Sequence, residues 1–230
     1  MNKDEFKKFV LELGIDISDD KISLLDKYYD LLIAWNEKIN LTAITLKEQV
    51  YLKHFYDSLT LVKIIDLNKE NSFCDIGTGA GFPGIVIKIF FPHLKVTLID
   101  SLNKRVKFLE LVIRELGLKD IEVIHTRAED YSKKNREKFD VVTARAVATL
   151  PILLEYSLSL VKISKYFIAM KGKEERCDNA LSLLGGRLEK SLEFLLPIEN
   201  SQRTLIKIKK EKKTDIKYPR KFSDIKKRPL

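Results

Sequence analysis

The segment Asp75-Ile76-Gly77-Thr78-Gly79-Ala80-Gly81-Phe82-Pro83-Gly84 constrains this chain more than any other. Gly77, Gly79 and Gly81 alternate along it, a pattern that lets the backbone turn tightly and a ligand approach closely. The apolar run Ser72–Ile76 precedes it, and Pro83 suits the first turn of a helix, where a missing N–H costs nothing. The segment reads as a strand, a turn and the start of a helix. The sequence downstream repeats that alternation. Strands are expected at Ser72–Ile76, Lys95–Ile99, Ile121–His125, Phe139–Ala144 and Lys165–Met170. Helices are expected near Pro83–Phe91, Asn103–Leu116, Pro151–Val161 and Glu174–Leu184. This pattern predicts a parallel sheet with helices on both faces and right-handed crossovers. Arg187–Leu195 and Thr204–Lys209 are strand-like with no helix between them, so they should pair antiparallel at one edge.

Residues 1–66 read as helical instead. Phe6, Phe9, Val10 and Leu13 share one helical face. Ser18 or Asp19 can cap a longer helix through Ile39, with Ile22, Leu25, Tyr29, Leu32 and Ile33 facing inward. His54 to Ile65 makes another amphipathic stretch. The expected organisation is a helical cap over 1–66, an α/β core over 67–209 and an extended basic tail over 210–230.

The charge is uneven. The 230 residues hold 42 Lys and Arg against 33 Asp and Glu, a formal net of +9. Lys207 to Leu230 alone contains 11 basic and 3 acidic residues, a net of +8, which leaves +1 for the other 206. A near-neutral body with a basic tail points to a polyanion, nucleic acid first; the plainer reading is a solvated tail. Cys74 and Cys177 cannot make a disulfide framework, which fits a reducing compartment. Apolar runs such as Ile85–Phe91, broken by Lys88, fall short of the roughly 18 residues of a membrane span. The N-terminus has no signal-peptide core. A cytoplasmic protein with no membrane partner is expected. His93 and His125 have no Cys or acid at ligand spacing, so no metal site is expected.

In an open α/β sheet, ligands bind beyond the carboxyl ends of the strands. Gly79, Gly81 and Gly84 also satisfy a dinucleotide spacing, and no Lys-Ser or Lys-Thr follows to make a phosphate-binding P-loop. Asp75 would repel a pyrophosphate and suit an ammonium or a sulfonium. S-adenosylmethionine carries both and has no phosphate. Asp100, ending the second strand, can accept hydrogen bonds from both ribose hydroxyls. Glu129 or Asp130, after Ala128 and the third strand, can read an adenine edge. Each acid alone reads equally as a helix cap or a solvated turn, Asp100-Ser101 included. Their joint placement favours S-adenosylmethionine over a nicotinamide cofactor. Two rivals stand beside this reading. An NAD-dependent oxidoreductase leaves Asp75 and the antiparallel end unexplained. A non-catalytic RNA-binding module leaves the glycines and strand-end acids without a purpose.

Asp75 to Gly84 also resembles the first motif of class I methyltransferases. A longer ordered set narrows the resemblance: Trp35-Asn36, Asn40-Leu41-Thr42, His54 with Asp57-Ser58-Leu59, Gly77 to Gly84, Arg127-Ala128-Glu129, Ala144-Arg145-Ala146-Val147, Lys171-Gly172 and Tyr218-Pro219-Arg220. Together these resemble the bacterial small-subunit rRNA methyltransferase G family, also called glucose-inhibited division protein B, over nearly the whole chain. The resemblance implies a class I S-adenosylmethionine-dependent methyltransferase fold, α/β and Rossmann-like. Its sheet would be mostly parallel and seven-stranded with an antiparallel edge strand, and an N-terminal helical extension would precede it.

The resemblance also implies a product, 7-methylguanosine at one guanine in the decoding-centre loop of 16S rRNA. Naked rRNA, the 30S subunit and an assembly intermediate are the possible substrates, and no stable protein partner is inferred. By position, Gly77, Phe82, Ala128, Glu129 and Arg145 would line the cofactor, beside Asp75, Gly79, Gly81, Asp100 and Ser101. Arg145 and Lys171 are candidates to hold RNA, as are Lys217, Arg220, Lys221, Lys227 and Arg228 of the tail. The plainer reading of Arg145 is a surface ion pair with Glu129 or Asp130. His54 reads equally as a buried histidine or a contact, and Trp35 as core. Guanine N7 carries a lone pair and no proton, so no general base is required. The tail departs from the family pattern: Lys221-Phe222-Ser223-Asp224-Ile225 stands where a short Pro/Gly-rich basic stretch is usual.

Overall fold

A computed structural model describes residues 1–172 and 177–230. The chain begins with α1 (Lys3–Glu12), closed by a reciprocal capping box between Asn2 and Glu5. The second helix, α2 (Asp19–Ile39), is capped by Ser18 and ends where Asn40 enters the left-handed region at φ 49°. Ile22, Leu25 and Leu32 face inward as expected, but Tyr28 rather than Tyr29 is the buried tyrosine. A continuous helical run follows: α3 (Lys47–Val50), a π-helical turn (Tyr51–Tyr56), α4 (Asp57–Leu59) and a 3₁₀ turn (Thr60–Lys63).

Seven strands then form one sheet: β1 (Ser72–Ile76), β2 (Lys95–Asp100), β3 (Ile121–His125), β4 (Phe139–Arg145), β5 (Val161–Lys171), β6 (Gly186–Leu195) and β7 (Gln202–Lys210). Their order is β3-β2-β1-β4-β5-β7-β6. The first five run parallel, and β7 runs against both β5 and β6. The reversed strand is thus inserted one place inside the edge. The connecting helices are α5 (Gly84–Phe90), α6 (Asn103–Glu115), α7 (Ala128–Lys134), α8 (Leu150–Ser157) and α9 (Asp178–Leu184). The expected start of the last at Glu174 lies outside the described residues.

Strict alternation along the inner strands feeds two apolar layers. Phe73, Val141, Ile168 and Met170 join a cluster with Phe6, Val10, Leu25, Phe55 and Leu59 of the N-terminal helices. Cys74, Val142, Phe167 and Ala169 join a second with Leu150, Leu153, Leu154 and Leu181. The N-terminal helices and one face of the sheet therefore share one continuous core.

The last twenty residues are not an extended tail. The buried Lys210 ammonium donates to the Leu158 carbonyl at 2.6 Å and to the Thr214 hydroxyl, and burial pulls its pKa down to about 8. Arg136 donates to the carbonyls of Thr214 and Tyr218. Arg220 grips the fully buried Glu155 with two guanidinium nitrogens, at 2.8 and 2.7 Å. A short helix, α10 (Phe222–Lys227), follows, and its Ile225 is fully buried. Among the described residues, no helix is long and apolar enough to cross a membrane.

Candidate active site

The glycine loop is clamped from below. Asp75 Oδ2 accepts from the Thr78 hydroxyl at 2.6 Å and the Gly84 amide at 2.9 Å, which ties the start of the loop to the start of α5. Asp75 is 0% exposed, and its Oδ1 has no partner in the protein. Burial pushes this carboxyl up to about 7, against the pull of those two hydrogen bonds. Asp75 therefore organises the loop from underneath and does not line the ligand cleft, which corrects its expected place as a direct contact. Gly84 is required by close packing: a Cβ there would lie 2.2 Å from Leu98 Cδ2. Gly79 is required by conformation, with φ +62° and open space beside it. Its amide donates to Asp100 Oδ2 at 3.0 Å. From the other side, the Tyr28 hydroxyl on α2 donates to the Ala80 carbonyl. Nothing in the sequence marks this tether, because an apolar-faced tyrosine reads as core.

A cleft of about 210 Å³ opens over the ends of β1, β2 and β3. Gly77, Asp100, Ser101, Ala128 and Glu129 line it together, as do Arg127, Val147, Tyr156 and Phe222, which the sequence did not single out as cofactor contacts. Gly81 and Phe82 belong to the same loop but face α2 and the π-helical turn. The buried Glu129 has one carboxylate oxygen, Oε1, without a hydrogen-bond partner. Asp100 also accepts from the Leu102 amide at 2.9 Å, which fixes its carboxylate at the strand end.

A second cleft, about 310 Å³, lies over β4, β5 and β7. Arg145 donates to the Lys53 carbonyl at 3.1 Å and to Asp57 Oδ2 at 3.4 Å, and its Nη2 lies 3.3 Å from His54 Nδ1. Its guanidinium lies 5.3 Å from the centre of the Phe82 ring. The expected partners Glu129 and Asp130 are not its partners. Asp57 is, and Asp57 Oδ1 also takes Arg203 Nε at 3.2 Å. His54 stacks on Phe82 with centroids 4.4 Å apart, and its Nε2 meets the Thr42 hydroxyl at 2.9 Å. Burial, aided by Arg145, pulls the imidazole down to about 3, so it is neutral, and its Nδ1 also lies 3.2 Å from the Lys53 carbonyl. Lys171 lines this cleft and donates to the Ala148 carbonyl. Trp35 packs against Phe108 at 5.8 Å. The turn Arg145-Ala146-Val147 stands between the clefts: Val147 lines the first and Ala146 the second. Ala146 holds φ +55°, a strained conformation of the kind that collects at functional sites.

The tail residues divide. Lys217, Lys221, Lys227 and Arg228 are exposed. Arg220 is not available to RNA as expected, since Glu155 occupies its guanidinium. Among the described residues no group of three His, Cys, Asp or Glu side chains could hold a metal ion.

The first cleft fits S-adenosylmethionine. Two carboxylates, Asp100 and the buried Glu129, line it beside a lysine-free glycine loop, and Glu129 Oε1 makes no hydrogen bond within the protein. That donor-poor, acceptor-rich setting suits a ligand with a diol, amino groups and a sulfonium, and does not suit a pyrophosphate. Fold and cleft together define a class I S-adenosylmethionine-dependent methyltransferase. A methyltransferase from Aquifex aeolicus matches at TM-score 0.51 with 20% identity, covering 71% of this chain and 93% of that one. A 16S rRNA (adenine(1408)-N(1))-methyltransferase from Catenulisporales acidiphilia matches at TM-score 0.52 with 14% identity, over 64% and 87% of the two chains. The family model described as rRNA small subunit methyltransferase G matches residues 21–182. Proteins named ribosomal RNA small subunit methyltransferase G from Exiguobacterium sibiricum and Listeria monocytogenes are 49% and 45% identical, each over 100% of both chains. The chain belongs to the rRNA small subunit methyltransferase G family.

Proposed function

We propose that this enzyme transfers the methyl group of S-adenosylmethionine to N7 of one guanine in the decoding-centre loop of 16S rRNA. The observation that carries this reading is the pair of clefts meeting at the Arg145–Val147 turn, one suited to the cofactor and the other cationic and aromatic. Family membership supports the substrate. When bound, S-adenosylmethionine supplies a methyl group activated by its sulfonium. Gly77, Gly79 and Asp100 hold the cofactor side. On the other side Phe82 and His54 form a flat stack beside Arg145. Asp57 and the Lys53 carbonyl hold the guanidinium in place, so it can meet guanine O6 or a phosphate without competing for N7. The neutral His54 already has partners on both ring nitrogens, and N7 offers no proton to remove. Orientation and exclusion of water are then the main sources of rate, and orientation of this kind is worth roughly 7–11 kcal/mol.

The guanine must come from an unpaired or loop region, because the A-form major groove hides N7 from side chains. A ribosomal substrate implies the cytoplasm. The exposed tail cations would hold phosphates. The test is methylation of free 16S rRNA and of 30S subunits lacking the modification, followed by nucleoside mass spectrometry. 7-Methylguanosine is the expected product. A different methylated nucleoside, or transfer to neither substrate, would overturn the proposal.

A further inference from the structure

The C-terminal strap enters the cofactor cleft. Phe222 lines the same cleft as Asp100 and Glu129, although more than ninety residues separate it from them in sequence. It is held there on both sides. Before it, Arg220 forks onto the buried Glu155 of α8. After it, Ile225 is fully buried, and Arg220 also donates to the Arg228 carbonyl at 2.9 Å. The Arg127 guanidinium lies 4.8 Å from the Phe222 ring centre and lines the cleft beside it. Yet Phe222 itself remains 41% exposed. Arg127 covers part of the ring, and the rest is open at the rim of the cofactor cleft. Burying Ile225 explains why the strap docks; it does not explain an open phenyl ring at the rim of a cleft.

We infer that Phe222 is a cofactor-binding residue: it forms the outer wall against which the purine of S-adenosylmethionine packs. The inference rests on the reading of this cleft as the cofactor site. Its chemistry is the contact of an apolar π face with a heteroaromatic base, which tolerates little loss of the ring. Glu129 Oε1, buried and without a hydrogen bond, lies 3.9 Å from Arg127 Nη1 in the same cleft and is suited to accept from an exocyclic amino group.

The test is calorimetry of the full-length chain with S-adenosylhomocysteine and with 5′-methylthioadenosine, which keeps base and ribose but lacks the amino acid. Three variants are compared with wild type. Phe222→Leu keeps bulk without a ring, and Phe222→Tyr keeps the ring. Asp100→Ala probes the cleft independently of the strap. Phe222→Leu should weaken both ligands by about fivefold or more, and Phe222→Tyr should bind within about twofold of wild type. Wild-type affinity in Phe222→Leu, with weakened binding in Asp100→Ala, would overturn the inference and leave the cleft assignment standing. Absence of binding to the wild type would overturn both. Equal losses in Phe222→Leu and Phe222→Tyr would also overturn it, since the ring would then not be what matters.

Discussion

At the scale of single residues, the second cleft is governed by Asp57. Two arginines, Arg145 and Arg203, share its carboxylate, one on each oxygen. Asp57→Asn keeps the shape but removes the charge that aims them. It should lower the rate of methyl transfer by about 10²-fold, the cost of a small misplacement near the reacting atoms. Affinity for S-adenosylhomocysteine should stay close to wild type, because Asp57 lies in the other cleft. Single-turnover kinetics and calorimetry separate the two quantities; a parallel loss in both would count against the division of labour. His54 gives a pH signature. In the unfolded chain its imidazole titrates near 6.5, whereas in the fold it stays neutral down to about 3. Below about pH 6.5 the unfolded state therefore binds the extra proton, and stability falls as pH falls through that window. By pH 5 this one group should cost about 2 kcal/mol. Between pH 7 and 5, the stability lost by wild type in urea titrations should exceed that lost by His54→Gln by about that amount. Identical losses would mean that the imidazole is not held neutral. Much of this residue-level picture was not legible in sequence. An acid near a glycine loop looks the same whether it faces the ligand or, like Asp75, clamps the loop from beneath. Partners such as Arg145 and Asp57 are 88 residues apart and meet only through the fold.

At the scale of elements, periodicity carried the reading well where burial was two-sided. Strands β1, β2, β4 and most of β5, with the half-buried edge strand β3, and three of the crossover helices follow directly from apolar runs bounded by glycine, proline or charge. Two elements escaped, α7 and α10, and one junction moved. The strand β5 starts at Val161, and α8 stops at Ser157, because the run Leu158–Leu160 turns instead of continuing the helix. The helix α7 carries the sequence Ala128-Glu129-Asp130-Tyr131-Ser132-Lys133-Lys134, too polar to show a helical stripe. The helix α10 is short and lies in a stretch whose charge dominates its composition. The loop before α5 separates two reasons for glycine. Gly84→Ala would drive a methyl into Leu98 Cδ2 and toward Asp75 Oδ2, and overpacking of this kind costs typically 1–3 kcal/mol. Gly79→Ala meets no such neighbour and bears only the left-handed penalty, roughly 1–2 kcal/mol. Denaturation should find Gly84→Ala the less stable of the two, while Gly79→Ala, whose amide holds Asp100, should show the larger loss of cofactor affinity relative to its loss of stability. The reverse order on both measures would exclude this assignment of roles.

At the scale of the whole molecule, the basic surplus sits on the outside of a strap whose inside is structural. Cutting the chain after Thr214 would not isolate RNA binding, since it also strips Arg220 from the buried Glu155. Breaking a buried pair of that kind costs about 3–5 kcal/mol. Neutralising Lys217, Lys221, Lys227 and Arg228 to Gln is the cleaner experiment, because all four are exposed. Four phosphate contacts on single-stranded RNA release about three counterions, by the roughly 0.7-per-contact rule. The variant should need more RNA for half-maximal rate and show a salt dependence flatter by about that number, with unchanged affinity for S-adenosylhomocysteine. An unaltered salt slope would move the RNA grip to the rim of the second cleft, around Lys53, Lys171 and Arg203.

The second cleft has one more consequence. Two guanidinium groups, Arg145 and Arg203, share the single carboxylate of Asp57 there, beside a neutral imidazole. With the proposed chemistry, the guanine that enters is uncharged and the 7-methylguanine that leaves carries a positive ring. The pocket that welcomes the substrate is therefore an electrostatic adversary of the product, and expulsion needs no lid or separate trigger. Fully methylated RNA should compete poorly with unmethylated RNA in steady-state assays, and progress curves should stay linear until substrate runs low. Early curvature relieved by removing methylated RNA would mean that the pocket retains what it makes.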